Sequence, residues 1–358
     1  MSVALPLLDP RSVRPVFAQG PRHLDAVKLL RISITDRCNF RCIYCMPDEG
    51  IGFSPAADIL SKRDIVEVAR AAINVGVTHL KITGGEPTVR ADLLQIVSGL
   101  ASLEPQDLSM TTNGVLLSQL AKPLREAGLD RLTFSWDTMK ADRFARIARG
   151  GARDGQEALD KLIAGIDASL DAGFDRLKFN VVVIGGVNDD EVVDFARLTL
   201  DRPFTVRFIE YMPLGDSTLI DASGNLEQLG SPFTVDSSVL HKRIEQEFGP
   251  LTPVSRQREA GVGPAEVFSL PSARGRIGFI SSMSQPFCEN CNRLRLTATG
   301  ELRSCLFDGG EVNLLEALGL SDPKRRCEKI IEHMHECVAM KPEVHGIRGN
   351  RAMSQLGG

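Results

Sequence analysis

Six cysteines of this chain form two groups of three, and their spacing indicates the chemistry available to the chain. The first group is Cys38, Cys42 and Cys45, spaced Cys-x3-Cys-x2-Cys. Three thiolates can hold one iron-sulfur cluster and leave one iron without a protein ligand, whereas a structural zinc site normally has four. An open iron can bind and reduce a substrate. The spacing therefore predicts a catalytic centre, and a zinc knuckle or redox thiols are the alternatives.

The second group is Cys288, Cys291 and Cys305, spaced Cys-x2-Cys-x13-Cys, again with no obvious fourth ligand. A zinc ribbon would need another Cys-x2-Cys pair. Cys327 and Cys337 are single and lie in a helical pattern, where a small buried residue is the more typical role. The spacing therefore favours a second open cluster, with zinc as the alternative.

Two arginines, Arg293 and Arg295, alternate on an extended segment just after Cys291. The fixed fork of a guanidinium group suits phosphate oxygens, so the pair predicts a phosphate clamp beside the second group. The alternative is a solvated surface pair. No G-x-x-x-x-G-K-[ST] sequence occurs, so a P-loop is excluded as the phosphate site.

The elements that must position these residues are successive βα units. From Lys28 onward, short β-type runs alternate with helical patterns, which is typical of a parallel sheet. This rhythm predicts an α/β fold with a partial (β/α)6 TIM-type barrel, and a flavodoxin-like doubly wound sheet is the alternative. The predicted strands are Leu29–Thr35, Thr78–Thr83, Leu108–Thr112, Arg131–Asp137, Arg176–Val183 and Thr205–Tyr211.

Five of these strands carry polar residues at alternate positions. Buried parallel strands are normally almost continuously apolar, and the side-chain period of two places each polar set on one face. We therefore expect a polar, cation-bearing barrel interior that binds an anionic ligand, since buried cations without partners are costly. Edge strands could explain one or two of the sets. The polar sets are Arg31, Ser33 and Thr35; Lys81 and Thr83; Ser109 and Thr111; Thr133, Ser135 and Asp137; and Lys178 and Asn180.

Length and charge set limits on the class of protein. The chain has 358 residues, 43% of them hydrophobic, and a net charge of −4. The charge gives no bulk attraction to nucleic acid, and no apolar run is long enough to span a membrane, so we expect a cytoplasmic protein with reduced thiols. The expected organisation is an irregular lead-in at 1–27, the barrel at 28–213 and a smaller C-terminal cluster-binding domain at 214–358, which begins with a mobile insertion at 214–234.

Three segments resemble a known family. Ser33 to Pro47 resembles the cluster loop of radical S-adenosylmethionine (SAM) enzymes, and Gly84-Gly85-Glu86-Pro87 resembles the motif that receives the SAM amino group. The segment from Cys288 to Cys305, with Cys291-Asn292-Arg293-Leu294-Arg295, is similar to the auxiliary cluster segment of the GTP 3',8-cyclase family. Without the resemblance, the Gly-Gly turn would be weak evidence.

The resemblance implies two [4Fe-4S] clusters and SAM as cofactors. Cys38, Cys42, Cys45, Arg293 and Arg295 are the candidate catalytic residues, and the two cysteine groups are the metal ligands. A terminal Gly357-Gly358 that inserts toward the active site is also implied, whereas a disordered tail is the usual interpretation of such an ending. The implied SAM contacts are Tyr44, Gly85, Ser135 and Met212, and the implied GTP contacts are Arg31, Lys81, Thr111, Lys178, Arg293, Leu294 and Arg295.

The implied activity is radical cyclisation of GTP in molybdenum cofactor biosynthesis. The first cluster reduces SAM, the 5'-deoxyadenosyl radical removes the 3' hydrogen of GTP, and the ribose closes onto C8 of guanine. The implied partners are an electron donor protein and, downstream, cyclic pyranopterin monophosphate synthase, and the resemblance allows a homodimer. The rival interpretations are a radical SAM enzyme acting on a peptide and a zinc-dependent nucleotide-binding regulator.

Overall fold

The computed structural model describes residues 22–47, 50–212, 214, 233–255, 261–307, 311–346 and 353–356, with the backbone of 218–220 and 226–228. The strands are β1 Leu29–Ser33, β2 His79–Thr83, β3 Asp107–Thr112, β4 Arg131–Ser135, β5 Lys178–Val183, β6 Thr205–Glu210, β7 Thr218–Ile220, β8 Leu226–Gln228, β9 Thr252–Pro253, β10 Glu266–Ser269, β11 Arg276–Ile280, β12 Arg293–Leu296, β13 Glu301–Arg303 and β14 Glu311–Asn313. The helices are α1 Lys62–Asn74, α2 Leu93–Ala101, α3 Leu117–Glu126, α4 Ala141–Ala148, α5 Gly155–Asp171, α6 Val192–Asp201, α7 Ser237–Phe248, α8 Leu315–Leu318, α9 Pro323–Ala339 and α10 Met353–Leu356.

Strands β1 to β6 lie side by side in chain order, and all five pairings between them are parallel. A doubly wound sheet would reverse its strand order part-way, so this order excludes the flavodoxin-like alternative. The predicted partial TIM-type barrel is confirmed. Each predicted strand exists, and its ends lie within two residues of the predicted ones.

Local sequence explains where the helices of these units begin and end. In α1, the Ser61 side chain accepts from the Asp64 N–H and the Asp64 carboxylate accepts from the Ser61 N–H, which forms a capping box. Gly76 follows with φ of +92°, a left-handed conformation that glycine adopts without strain. The apolar faces of β1 and β2, including Leu30, Ile32 and Leu80, are completely buried in the core.

The C-terminal residues extend both open edges of the same sheet. Strand β12 pairs in parallel with β1, and β11 pairs in parallel with β6. Antiparallel β13 and β14 lie beyond β12, and antiparallel β10 and β9 lie beyond β11. The expected smaller domain therefore shares the sheet and one continuous hydrophobic core with the barrel. This pairing brings the second cysteine group next to β1.

Some expectations concern residues that the structure does not describe. The lead-in is described only from residue 22, where Leu24 and Val27 pack in the core. Most of the insertion at 214–234 lies outside the described residues, as do Gly357 and Gly358. Among the described helices, none is both long and apolar enough to cross a membrane.

Candidate active site

The first cysteine group lies on the loop that follows the carboxyl end of β1. Its thiols are half-buried and free of disulfides. Main-chain hydrogen bonds attach the loop to the end of α4: the Arg41 N–H donates to the Ala148 carbonyl over 2.8 Å, and the Ile43 N–H donates to the Ile147 carbonyl over 3.0 Å. These contacts fix the loop without using the cysteine side chains.

Arg149, directly after α4, adds a side-chain clamp to the same loop. Its φ of +47° is uncommon for a residue other than glycine. Arg149 Nε donates to the Arg41 carbonyl over 3.0 Å, and Nη2 donates to the Met46 carbonyl over 3.1 Å. The guanidinium group therefore bridges two carbonyls that flank Cys42 and Cys45.

The surroundings of the first group disfavour thiolates. Burial, followed by the charge of Glu86, raises the pKa of Cys38 to about 12. Burial and then Asp137 raise the pKa of Cys42, and the neighbouring Cys45 and Cys38 thiols contribute. A bound metal centre would supply the positive charge that ionises these ligands.

The Gly-Gly turn after β2 packs directly on the cysteine loop. The Gly85 N–H donates to the Thr35 carbonyl over 2.7 Å. A Cβ atom on Gly85 would lie 2.3 Å from the carbonyl oxygen of Arg37, so only glycine fits there. The close approach is thus between two segments of the chain, and it places the turn beside the first cysteine group.

A cavity of about 240 Å³ runs through the barrel interior. Tyr44 and Ser135 line its wall at the carboxyl ends of the strands, and Cys288, Cys291 and Cys305 line its other end. The second group lies at the amino ends of the strands because Cys291 precedes β12, which runs parallel to β1. The two cysteine groups therefore lie toward opposite ends of one cavity.

Positive charge dominates the cavity wall. Among the described lining residues, seven are arginines or lysines and two are carboxylates, Asp107 and Asp137. Asp107 is paired with Arg131, and Asp137 accepts from the Tyr44 hydroxyl over 2.8 Å. The seven cations are Arg31, Lys81, Arg131, Lys178, Arg207, Arg293 and Arg295.

These cations repel one another in a desolvated space. Burial, then Arg295, Arg293 and Arg207, lower the pKa of Arg31. Burial and the same kind of repulsion lower the pKa of Lys81, and burial with Arg293 lowers the pKa of Arg295 to about 10. An anionic ligand would relieve this repulsion.

Among the described residues of the cavity wall, three buried side-chain oxygens have no hydrogen-bond partner: Thr111 Oγ1, Asn180 Oδ1 and Ser282 Oγ. Most buried polar side-chain atoms in folded proteins are hydrogen-bonded. The three atoms are therefore available to a polar ligand. Together with the cations, they indicate a polyanionic molecule that also carries hydroxyl or amide groups.

Cations surround the second cysteine group. Burial raises the pKa of Cys291, but Arg293 and Lys341 outweigh it and bring the pKa to about 7. Burial raises the pKa of Cys288. The Arg293 guanidinium lies 5.0 Å from the centre of the Phe287 ring, which holds it beside the group.

Comparisons with known proteins agree with this geometry. Residues 32–199 match the family model of the Radical SAM superfamily, and residues 204–347 match that of Molybdenum Cofactor Synthesis C. GTP 3',8-cyclase of Pelotomaculum thermopropionicum is 44% identical over 339 residues, which cover 93% of this chain and 98% of that protein. GTP 3',8-cyclase of Nostoc punctiforme is 40% identical over 348 residues, which cover 94% and 100%. The chain belongs to the GTP 3',8-cyclase family.

A solved structure shows the fold that the family shares with more distant proteins. Streptococcus suis SuiB bound to S-adenosylmethionine matches with a TM-score of 0.51 and 14% identity. The match covers 83% of this chain and 65% of that one. At this identity it shows a common fold alone.

Radical SAM enzymes use a [4Fe-4S] cluster and SAM, and GTP 3',8-cyclases carry a second cluster. The donor sets fit these clusters: each group offers three thiols that form no disulfide and influence one another electrostatically. Within the described residues, no three His, Cys, Asp or Glu side chains converge on a site for one ion. A cluster binds each thiolate through a different iron, so its ligands need not converge on one point.

The structure brings most of the sequence-predicted site residues to the cavity. The predicted residues that line it are Arg31, Tyr44, Lys81, Thr111, Ser135, Lys178, Met212, Cys288, Cys291, Arg293, Arg295 and Cys305. Gly85 lies behind the first cysteine loop, and the Leu294 side chain is packed in the core, 1% exposed. Ser33, Thr35 and Thr83, expected on the polar face, are buried outside the cavity lining.

Two further arginines of the cavity wall, Arg207 and Arg131, were not predicted from the sequence. Arg207 had a readable signal, because it lies at the polar, alternating position of β6. Arg131 begins β4, and its pairing with Asp107 of β3 depends on strand register. The helical placement predicted for Cys327 and Cys337 is confirmed, since both lie on α9.

Proposed function

We propose that this chain converts GTP to (8S)-3',8-cyclo-7,8-dihydroguanosine 5'-triphosphate, the first step of molybdenum cofactor biosynthesis. The observation that carries the proposal is one cation-lined cavity that Tyr44 of the first cysteine loop lines at one end and the second cysteine group lines at the other. Family membership supports the same reaction.

In this proposal the first cysteine group holds the cluster that binds SAM. Tyr44, Ser135 and Met212, at the same end of the cavity, contact SAM, and Gly85 keeps its turn against the cluster loop. When bound, the cluster and SAM supply the 5'-deoxyadenosyl radical that removes the 3' hydrogen of GTP, after which the ribose closes onto C8 and an electron and a proton complete the product.

GTP lies between the two ends, with its guanine toward the second cysteine group. Arg31, Lys81 and Lys178 neutralise the triphosphate from the barrel wall, and Arg293 and Arg295 bind phosphate oxygens with two N–H groups each. Thr111 offers a buried hydroxyl without a partner in the described structure. Leu294, whose side chain is in the core, would contact GTP only through its backbone.

Holding GTP in this orientation brings its C3' toward the SAM end, which is the main catalytic task of the protein. Apolar side chains of Val182, Ile209 and Ile280 in the cavity wall reduce the room for water. Met353 of α10 also lines the cavity and packs on the cluster of Ile43, Tyr44 and Tyr211. This contact supports a role of the terminal Gly357-Gly358 near the site.

An electron donor protein reduces the first cluster, and cyclic pyranopterin monophosphate synthase uses the product. The protein works in the cytoplasm, either alone or as a homodimer, with the barrel at 28–213 and the second cluster in 214–358.

The experiment is an anaerobic assay of the reconstituted full-length protein with GTP, SAM and dithionite. We expect about eight irons per chain, formation of deoxyadenosine and a cyclised GTP detected by mass spectrometry. Colourless protein with stoichiometric zinc and no SAM cleavage would contradict the proposal and favour a zinc-dependent nucleotide-binding regulator.

A further inference from the structure

The turn that follows α9 contacts two of the three cysteines of the second group. The Lys341 Nζ donates to the Cys291 carbonyl oxygen over 2.7 Å and lies 3.9 Å from the Cys291 Sγ. The His345 backbone acts electrostatically on the Cys288 thiol. Neither residue belongs to the cysteine motif or to the arginine pair that follows it.

The turn is anchored independently of the cysteines. The His345 ring stacks on Phe307 with centroids 4.1 Å apart and an angle of 12° between the planes. Its Nε2 lies 2.7 Å from the Ser282 carbonyl oxygen. Phe307 follows Cys305 by two residues. The stack therefore links the turn after α9 to the segment after β13 that carries Cys305. These two contacts of His345 hold the turn that carries Lys341 beside the second cysteine group.

The burial of Lys341 needs an explanation. Only 4% of the residue is exposed, and a buried ammonium is costly unless negative charge compensates for it. The groups whose charges act on it most are Cys291, Arg293, Cys337 and Cys305. Two of these are ligands of the second group, so the negative charge of a thiolate-bound cluster is the natural counterpart of this ammonium.

We propose that Lys341 is a positioning residue for the second cluster: it holds the Cys291 ligand in place, and its charge stabilises the reduced cluster. This inference rests on the proposed function, which assigns a cluster to Cys288, Cys291 and Cys305. Hydrogen bonds and positive charge at the ligand sulfurs raise the reduction potential of an iron-sulfur cluster, because reduction adds negative charge. The hydrogen bond from Lys341 to the Cys291 carbonyl also orients the Cys291 thiolate toward the cluster.

The test uses the reconstituted full-length protein and follows both clusters by electron paramagnetic resonance during a redox titration. Lys341→Met removes the ammonium but keeps an unbranched side chain, Lys341→Arg keeps the charge, and Lys324→Met removes an exposed lysine of α9 as the control. We expect Lys341→Met to make reduction of the second cluster at least tenfold less favourable, which is about 59 mV for one electron.

The first cluster serves as an internal reference and should keep its potential in all variants. Lys341→Arg should recover most of the shift, and Lys324→Met should match the wild type. A wild-type potential and a wild-type spectral line shape for the second cluster in Lys341→Met would overturn the inference.

Lys341→Met could instead retain only about four irons, those of the first cluster. Recovery of the second cluster in Lys341→Arg would then support the positioning role. If Lys341→Arg also lacks it, and circular dichroism shows that both variants are unfolded, the residue is structural and the inference is overturned. A wild-type protein without a second cluster would contradict the proposed function itself.

Discussion

The two cysteine groups differ in how the chain builds them and in the charges around them. The first lies on one short loop, is held by main-chain contacts with α4 and has the carboxylates Glu86 and Asp137 nearby. The second combines a turn before β12, a residue after β13 and the turn after α9. Its neighbours are the cations Arg293 and Lys341.

This difference suits two tasks. Negative charge near a cluster disfavours its reduced form and makes it a stronger electron donor, whereas positive charge has the opposite effect. The first end of the cavity therefore suits one-electron reduction of SAM. The second end suits an anionic nucleotide. The barrel cations line the cavity between the two ends. In the proposed function they bind the one substrate that reaches both ends.

The largest expected effect is at the first group. Cys42→Ser removes a proposed ligand of the SAM-binding cluster, so it should abolish both deoxyadenosine and cyclised GTP, measured under dithionite. GTP binding should persist, because its contacts lie elsewhere in the cavity. Retained deoxyadenosine formation at the wild-type rate would break the assignment of this group to SAM cleavage.

The barrel cations should give an intermediate effect. Arg31→Ala or Lys178→Ala should each remove a proposed charge-assisted contact with GTP, worth about 1.5–3 kcal/mol, so GTP should bind roughly 10- to 150-fold more weakly by calorimetry. Iron content and SAM binding should stay at wild-type values. Arg70→Ala, on an exposed part of α1, is the control and should not change GTP affinity.

Unchanged GTP affinity in both barrel variants would remove the interior phosphate site from the account. The barrel cations would then not bind the substrate between the two cysteine groups, and the triphosphate would have to bind at a surface site instead.

A smaller effect is expected at Arg149. Arg149→Ala removes the clamp on the first cysteine loop but keeps a residue that is strained at positive φ, whereas Arg149→Gly removes both the clamp and the strain. Both variants should lower the iron occupancy of the first site and the rate of deoxyadenosine formation a few-fold, without affecting the second cluster.

The pair of variants separates the two causes. If Arg149→Gly behaves like the wild type while Arg149→Ala does not, the backbone strain matters and the guanidinium clamp does not.

The same contrast between the groups explains how much could be predicted from the sequence. The first group, the six strands and their polar faces depend on local spacing and on the period of two, and the structure has the strands where the pattern predicts. Most of the polar residues line the cavity, whereas Ser33, Thr35 and Thr83 do not. The edge pairings of β12 with β1 and of β11 with β6 join residues far apart in the chain, and no local pattern specifies them.

The contact of Lys341 with Cys291 could not be predicted from local sequence patterns either. It follows the end of a long helix, and its contact with Cys291 arises only when the C-terminal residues fold back on β12. The side chain of Leu294 points into the core because side chains alternate along β12 and its neighbours Arg293 and Arg295 line the cavity. Motif spacing locates ligands, whereas packing decides which neighbours surround them.

The most direct test of the account is the ratio of deoxyadenosine to cyclised GTP in Cys291→Ser. This variant removes a ligand from the substrate end and leaves the radical-generating end intact. With folding checked by thermal unfolding, we predict continued but uncoupled deoxyadenosine formation and no cyclised GTP. Cyclised product at the wild-type rate from the folded variant would contradict a substrate-binding role for the second cysteine group.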